Sequence, residues 1–379
     1  MATASTKLAS VADRRVSAPR PVWTGKTICR FLTPAEYAEW DALVDRSPHG
    51  TVFHYSWWLA AATGAVRILV VRNEADALLG GLPLPQKASA GLVLLHQPHL
   101  TPYLGPIFDL SATEGVCDQL HLMRACGEAL ARNVGKFDSF RYLAGAVAPD
   151  LQGFLWAGFR VYLGYTFRFS SRQTVAEITR EMTRTHLQKL TKAKRLNLKV
   201  HVSQRIESLL ELSRLTFERK NTARPFEDSL VVRLWQQASQ RQRTHLYVAS
   251  TEEDRPIAAL FTVHDRRTTY QIVSGFDPAC SDMPGQNLVL WTAVQDALAS
   301  GRDFDFEGSA LRGVETFYRR WGARAFPVWR MQKAGSLRGQ IATWIIQRRD
   351  SARNSPASSK SISNQVAAPE KARLSHEHE

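Results

Sequence analysis

With 379 residues, 44% of them hydrophobic and 22% charged, the chain is too long for one typical domain and comfortable for two, each with its own core. A formal charge of +14 favours anionic partners (nucleotides, phosphorylated or carboxylated substrates, tRNA, a membrane surface) without choosing among them. The cysteines, Cys29, Cys117, Cys126 and Cys280, form no CxxC and no Cys/His cluster, which argues against a disulfide framework and a structural zinc and points to a reducing compartment.

No apolar h-region precedes Trp23, and no apolar run is long enough to span a bilayer, so the expected location is the cytoplasm, without stable membrane insertion. Residues 1–25 and 351–379, rich in Ser, Ala, Pro, Arg and Lys, read as a disordered leader and tail. Between them the chain runs twice through one pattern. In the first pass a helix over 34–45 precedes the aromatic cluster Phe53, His54, Tyr55, Trp57 and Trp58, which reads as packing that anchors a helix to a sheet. Strands follow over 67–72 and 78–83, joined by the acidic turn 73–76. Strands over 91–97 and 103–109, a helix over 112–133 and a strand over 139–144 complete the pass.

The second pass opens with a strand over 165–169 and a basic helix over 175–196. A strand over 199–202 and helices over 206–220 and 228–241 come next. Strands over 245–250, 257–265 and 268–276 follow, the first two joined by the acidic turn 251–254, then a helix over 287–300 and a strand over 304–307. A short helix over 316–321 stops at Gly322, where glycine can take a left-handed cap, and a strand covers 326–331. Two passes of this length indicate a duplicated domain and not a solenoid. They divide the chain into a first unit over 26–160, a second over 161–335 and a C-terminal helix over 336–350, which carries Ile341, Trp344, Ile345 and Ile346.

The run Phe317, Tyr318, Arg319, Arg320, Trp321, Gly322, set between a strand and a strand after a long helix, resembles the C-terminal half of a GNAT N-acyltransferase domain, where the pattern is aromatic-Tyr-x-x-hydrophobic-Gly-Phe. The tandem arrangement, with the basic segment 183–195 opening the second copy, resembles the Fem-type peptidyltransferases and related bacterial acetyltransferases over residues 27–333. The resemblance implies an α/β fold of two tandem GNAT-like domains, each a mixed β-sheet flanked by helices, facing each other across a cleft. It implies transfer of an acyl group, acetyl above all, from coenzyme A to an amine, with no metal. The acceptor would be a polar small molecule or a cell-envelope precursor bearing a saccharide or peptide.

In GNAT domains the coenzyme A pyrophosphate sits before the long helix, here in the segment 276–288. A helix N-terminus there offers unpaired N–H groups and a partial positive charge. Gly285, Gln286, Asn287 and Leu288 are the matching residues, although of the usual Arg/Gln-x-x-Gly-x-Gly/Ala pattern only Gly285 is present, and an ordinary turn fits them equally. A backbone N–H at Ser274, Gly275 or Phe276 would polarise the thioester carbonyl. In the first unit the matching segment 110–115 is acidic, so the second unit is the expected donor site. Tyr318 stands where many GNAT enzymes place the tyrosine that stabilises the leaving thiolate; packing beside Phe317 and Trp321 is its alternative. Fem-type enzymes usually have lysine there, so this position departs toward the acetyltransferase pattern, with Arg319 a cation that could substitute.

Asp305 and Glu307, two apart on one strand face, are the candidates for the base that deprotonates the amine, with Asp303 and Glu315 behind them. Pairing with Arg302, Arg312 or Arg324 is their structural alternative. Lys189 and Lys192 on the basic helix, with Arg219 and Lys220 after the next one, are the expected substrate contacts. The same helix fits a tRNA, which keeps open an aminoacyl-tRNA-dependent reaction; the sparse glycine loop keeps open a binding protein without activity.

Overall fold

The computed structural model describes residues 26–111, 113–145, 147–308, 312–341, 344, 345 and 348; the expected disordered leader and tail lie outside them. The first unit contains β1 (Ile28–Phe31), α1 (Tyr37–Arg46), α2 (Ser56–Thr63), β2 (Ile68–Arg72), β3 (Leu78–Pro83), β4 (Lys87–Ser89) and β5 (Leu92–His96). It ends with β6 (Ile107–Phe108), α3 (Val116–Asn133), β7 (Ser139–Ala144) and α4 (Gln152–Trp156). The second unit opens with β8 (Arg160–Phe169), α5 (Val175–Glu181), α6 (Arg184–Arg195), β9 (Lys199–Val202), α7 (Glu207–Arg219) and α8 (Asp228–Ser239). It continues through β10 (Thr244–Ser250), β11 (Pro256–His264), β12 (Thr268–Phe276), α9 (Gly285–Ala299), β13 (Asp303–Asp305), α10 (Arg312–Arg320) and β14 (Arg324–Ala334).

The expected basic helix over 175–196 is two helices. Met182 and Thr183 adopt extended backbone, with ψ of 143° and 149°, and the Thr183 N–H donates to Arg320 O at 3.0 Å. This tertiary bond, together with the Thr174–Glu177 capping box that starts α5, overrides a helical pattern that is continuous in sequence.

The two acidic turns match in backbone detail. Asp76 and Asp254 both take a φ of 60°. The Asn73 N–H donates to Ala77 O at 3.1 Å, and the Thr251 N–H to Arg255 O at 3.0 Å. Each hairpin also shifts register at its turn end, at Val71/Arg72 and at Ala249/Ser250.

The strands form two sheets, β1-β2-β3-β6 and the ten-stranded β4-β5-β7-β14-β8-β13-β12-β11-β10-β9. Most pairs are antiparallel; β5–β7 and β12–β13 are parallel. The fold is therefore α/β with GNAT-like units flanked by helices; the four-stranded sheet is antiparallel throughout, and the ten-stranded sheet is mixed and takes strands from both units. The two units are continuous through this ten-stranded sheet. β14, the last strand of the second unit, lies between β7 of the first and β8. One apolar core also joins them: Leu209 of α7 and Leu234 of α8 share a cluster with Trp40, Phe53, Trp58 and Phe108. The opposite face of the second-unit sheet packs on α6, α9 and α10. Strand alternation sends Leu246 and Val248 to the first cluster, Tyr247 and Ala249 to the second.

Candidate active site

The site starts from a break in the sheet. β12 and β13 pair at Thr268–Asp303, Thr269–Phe304 and Tyr270–Asp305 only. Beyond Tyr270, β12 runs on to Phe276, whereas the chain after β13 leaves toward β8, with the Phe306 N–H donating to Phe167 O at 3.0 Å. A wedge opens between the two. On one side it follows from a bulge: Phe261 pairs with Val273 and Thr262 with Gln271, so Ile272 has no partner and β12 bends. On the other side Glu307 and Gly308 both have positive φ, 62° and 63°. Gly308 is required there, because a Cβ would lie 2.6 Å from Tyr165 O.

Backbone alternation decides which groups face the wedge. The Asp277 N–H donates to Ile257 O at 2.9 Å, toward β11, and the Phe276 N–H donates the other way, to Thr216 Oγ1 at 2.9 Å. Two residues earlier, the Ser274 N–H points to the edge that β13 has left. Of the three backbone donors expected, Phe276 is thus occupied by Thr216, and Gly275 points at β11. Gly275 instead permits the close approach of α7, since a Cβ on it would overlap the backbone of Leu212 and Ser213.

β12 feeds α9 through a short loop. No side chain caps the start of α9 at Pro284, so its first-turn N–H groups lack partners within the helix. Asn287, in that turn, is 7% exposed and its Nδ2 has no hydrogen-bond partner. An orphaned buried donor beside a bare helix N-terminus suits an anionic group. Lys192 reaches this loop from α6, its Nζ donating to Asp282 O at 2.6 Å. Gly285 faces the sheet, where a Cβ would meet the Ile257 side chain at 2.9 Å, so it serves packing; Gln286 and Leu288 are half-buried beside it. The Arg219 guanidinium lies 4.9 Å over the Phe276 ring at the end of β12. Burial, then Arg219, lowers the Lys220 ammonium; burial, then Arg320, lowers that of Lys189.

On the far side of β13, Asp305 is fully buried. It pairs with Arg168 Nε at 2.9 Å and accepts from Thr166 Oγ1 at 2.6 Å, the Glu307 N–H at 2.7 Å and the Tyr103 hydroxyl at 3.1 Å. Burial raises its carboxyl while Arg168 opposes. With its lone pairs taken up, Asp305 organises the site and has no room to collect a proton from substrate. Tyr103 belongs to the first unit, so this buried charge also ties the two units together. The strand ends at Asp305, and the positive φ of Glu307 breaks the shared face expected of the two carboxylates.

Glu307 instead lines a cleft of about 480 Å³ with Tyr165, Phe167, Glu315, Val328 and Arg330. Its Oε1 is buried without a hydrogen-bond partner, and burial, then Asp305, pushes its carboxyl well above the ordinary range. Tyr318 is 7% exposed, with its ring 4.5 Å from that of Phe306. Burial, then Glu307 and Asp305, raises its phenol, so it stays protonated and can donate. Arg319 is exposed on α10 and pairs with Glu315 at 2.9 Å. Arg168, Thr166, Tyr103 and Thr216 gave no sign of themselves in the sequence, because each acts through partners distant along the chain.

Residues 178–320, from α5 to α10 and including the wedge and the α9 loop, match the family described as Acetyltransferase (GNAT) domain. By fold the chain is similar to FemX, with 14% identity, 80% of this chain and 96% of that chain covered and a TM-score of 0.61. It is similar also to L-PGS from Bacillus licheniformis, with 12% identity, 85% and 98% covered and a TM-score of 0.51. No curated protein matches the chain. Residues 178–320 are thus similar to a GNAT domain, within a chain that shares the fold of FemX. Among the described residues no helix is long and apolar enough to cross a membrane, and no group of three His, Cys, Asp or Glu could hold a metal ion.

Proposed function

We propose that the chain is a cytoplasmic N-acyltransferase that moves an acyl group, acetyl above all, from coenzyme A to an amine of a polar acceptor such as a saccharide- or peptide-bearing cell-envelope precursor. The observation that carries this reading is the wedge between β12 and β13, with the Ser274 N–H directed into it and the bare N-terminus of α9 after it. The orphaned Asn287 Nδ2 argues that an acyl-coenzyme A fits. The first turn of α9 with Lys192 would hold its pyrophosphate, and the Ser274 N–H would take the thioester oxygen. Coenzyme A supplies an activated acyl group and a thiol leaving group. Glu307 holds the proton that the attacking amine gives up, its raised carboxyl suiting it to the task. Tyr318 donates where charge develops on sulfur, and Asp305 fixes the backbone N–H of Glu307.

Calorimetry with acetyl-coenzyme A on wild type and on Asn287→Leu tests the reading. Binding by wild type, weakened about tenfold in the variant for the loss of one hydrogen bond to a charged group, is expected. No binding by wild type would overturn it. Gly285 is a poor probe, because bulk there strikes Ile257 before it reaches any ligand. A second reading, transfer from aminoacyl-tRNA, draws on Lys189 and the exposed cations Lys194 and Arg195 of α6; salt-sensitive tRNA binding without coenzyme A binding would favour it.

A further inference from the structure

The segment after β14 has no part in the acyl-transfer reading. Residues 337–341, 344, 345 and 348 are helical, and their start is clamped to the first unit. The Gly335 N–H donates to Asp138 O at 2.9 Å, Ser336 Oγ donates to Asp138 Oδ1, and Gly339 is buried so close to the turn at 137 and 138 that a Cβ would overlap the Asp138 carbonyl. At about 100° per residue, Gly339 lies nearly opposite the arc that holds Leu337, Ile341, Trp344 and Ile345. Those four are 76%, 61%, 52% and 42% exposed. The helix is fixed by its small-residue side and turns an apolar stripe outward.

Cations accompany the stripe. Arg338 flanks it and is exposed, the Arg348 guanidinium lies 4.2 Å over the Trp344 ring, and Arg349 and Arg353 follow in sequence with Asp350 the one acid between them. We propose that this helix is an interfacial anchor that lays the protein on an anionic phospholipid surface, the stripe entering the headgroup–acyl boundary and the arginines meeting phosphates. The dimensions favour lipid over a second copy: from Leu337 to Ile345 the stripe is about 12 Å long, too short to bury the roughly 800 Å² per partner of a standard protein interface. A bilayer asks for one apolar face and supplies countercharge on every side, which also suits a chain of charge +14. Tryptophan with an arginine stacked on it is the pairing expected at headgroup depth.

Vesicle sedimentation of the full chain tests the proposal. Phosphatidylcholine vesicles would be compared with equal parts phosphatidylcholine and phosphatidylglycerol, for wild type, Ile341→Glu/Trp344→Glu and Arg338→Gln/Arg348→Gln. Wild type should bind the anionic vesicles at least ~tenfold better than the neutral ones, and both variants should lose ~tenfold or more. All the substituted side chains are exposed, so the melting midpoint and acetyl-coenzyme A binding should match wild type. Wild type left in the supernatant would overturn the proposal. So would anionic binding unchanged in Ile341→Glu/Trp344→Glu, which would make the attraction charge alone, or a wild-type dimer that this variant converts to monomer, which would make a second copy the occupant.

Discussion

Replacing Arg168 by Met tests whether Asp305 is a structural charge. Arg168 and Asp305 are 7% and 0% exposed, and the variant keeps the aliphatic length while stranding the carboxylate. Removing one partner of a buried pair costs about 3–5 kcal/mol. Three donors, Thr166, Tyr103 and the Glu307 N–H, remain to soften the loss, whereas the lost bond from Arg168 Nη2 to Thr268 Oγ1 (2.9 Å) adds to it. The expected deficit at pH 7 is about 4 kcal/mol, or roughly 5 °C in Tm. Its pH dependence is diagnostic. Burial already holds the folded carboxyl of Asp305 above its unfolded value of about 3.9, and without Arg168 it rises further. A raised folded value means that proton uptake favours the folded state, with the gain complete below the unfolded value and lost as pH climbs through the folded one. The deficit should therefore shrink as the pH is lowered from 7 to 5. Urea and thermal unfolding followed by tryptophan fluorescence at both pH values would measure it. A deficit below about 1 kcal/mol, or one indifferent to pH, would refute the assignment.

Three further predictions concern the reaction and the packing beside it. Glu307→Gln should lower kcat/KM by about 100-fold with acetyl-coenzyme A binding intact, and the wild-type rate should rise with pH through a midpoint above the usual carboxylate range, a limb the variant lacks. Tyr318→Phe should cut kcat about tenfold and leave donor affinity unchanged; an unaltered kcat would return Tyr318 to packing between Phe306 and Phe167. Gly275→Ala should cost about 1–3 kcal/mol in urea unfolding, because the methyl meets helix backbone that cannot yield as a side chain would.

Much of the fold could be read from local pattern. The apolar strands β10 to β12 and the helix α9 declare themselves, and so does the pair of acidic turns. What stayed hidden was set by partners far along the chain. β8 begins at Arg160, not at residue 165, because β14 pairs with it as far as Gln332, while Arg160, Tyr162 and Leu163 are exposed and show no clean alternation. β4, three exposed residues, exists only as a partner of β5. At the site, the motif around Tyr318 and the neighbouring carboxylates were legible. Their division of labour was not: alternation in the 303–307 run ranks Asp305 with Glu307, and only Arg168, Thr166 and Tyr103 together show that one is consumed in the core. Gly285 illustrates the reverse error, since a glycine before a helix reads as a phosphate-loop residue yet answers here to Ile257. Residues 309–311, inside the same motif, lie outside those described.

The position of β14 has a consequence for how the molecule comes into being. The strand that closes the middle of the ten-stranded sheet is, among the described residues, the last strand to leave the ribosome. Until residue 334 has emerged, β7 and β8 each present an unpaired edge, so the nascent first half waits, sticky along one side, for a segment nearly two hundred residues downstream. The two units are thereby not independent of each other. A chain cut between them would leave the first half with β7 as a bare edge, and a late frameshift or stop before β14 would undo the first half as surely as the second.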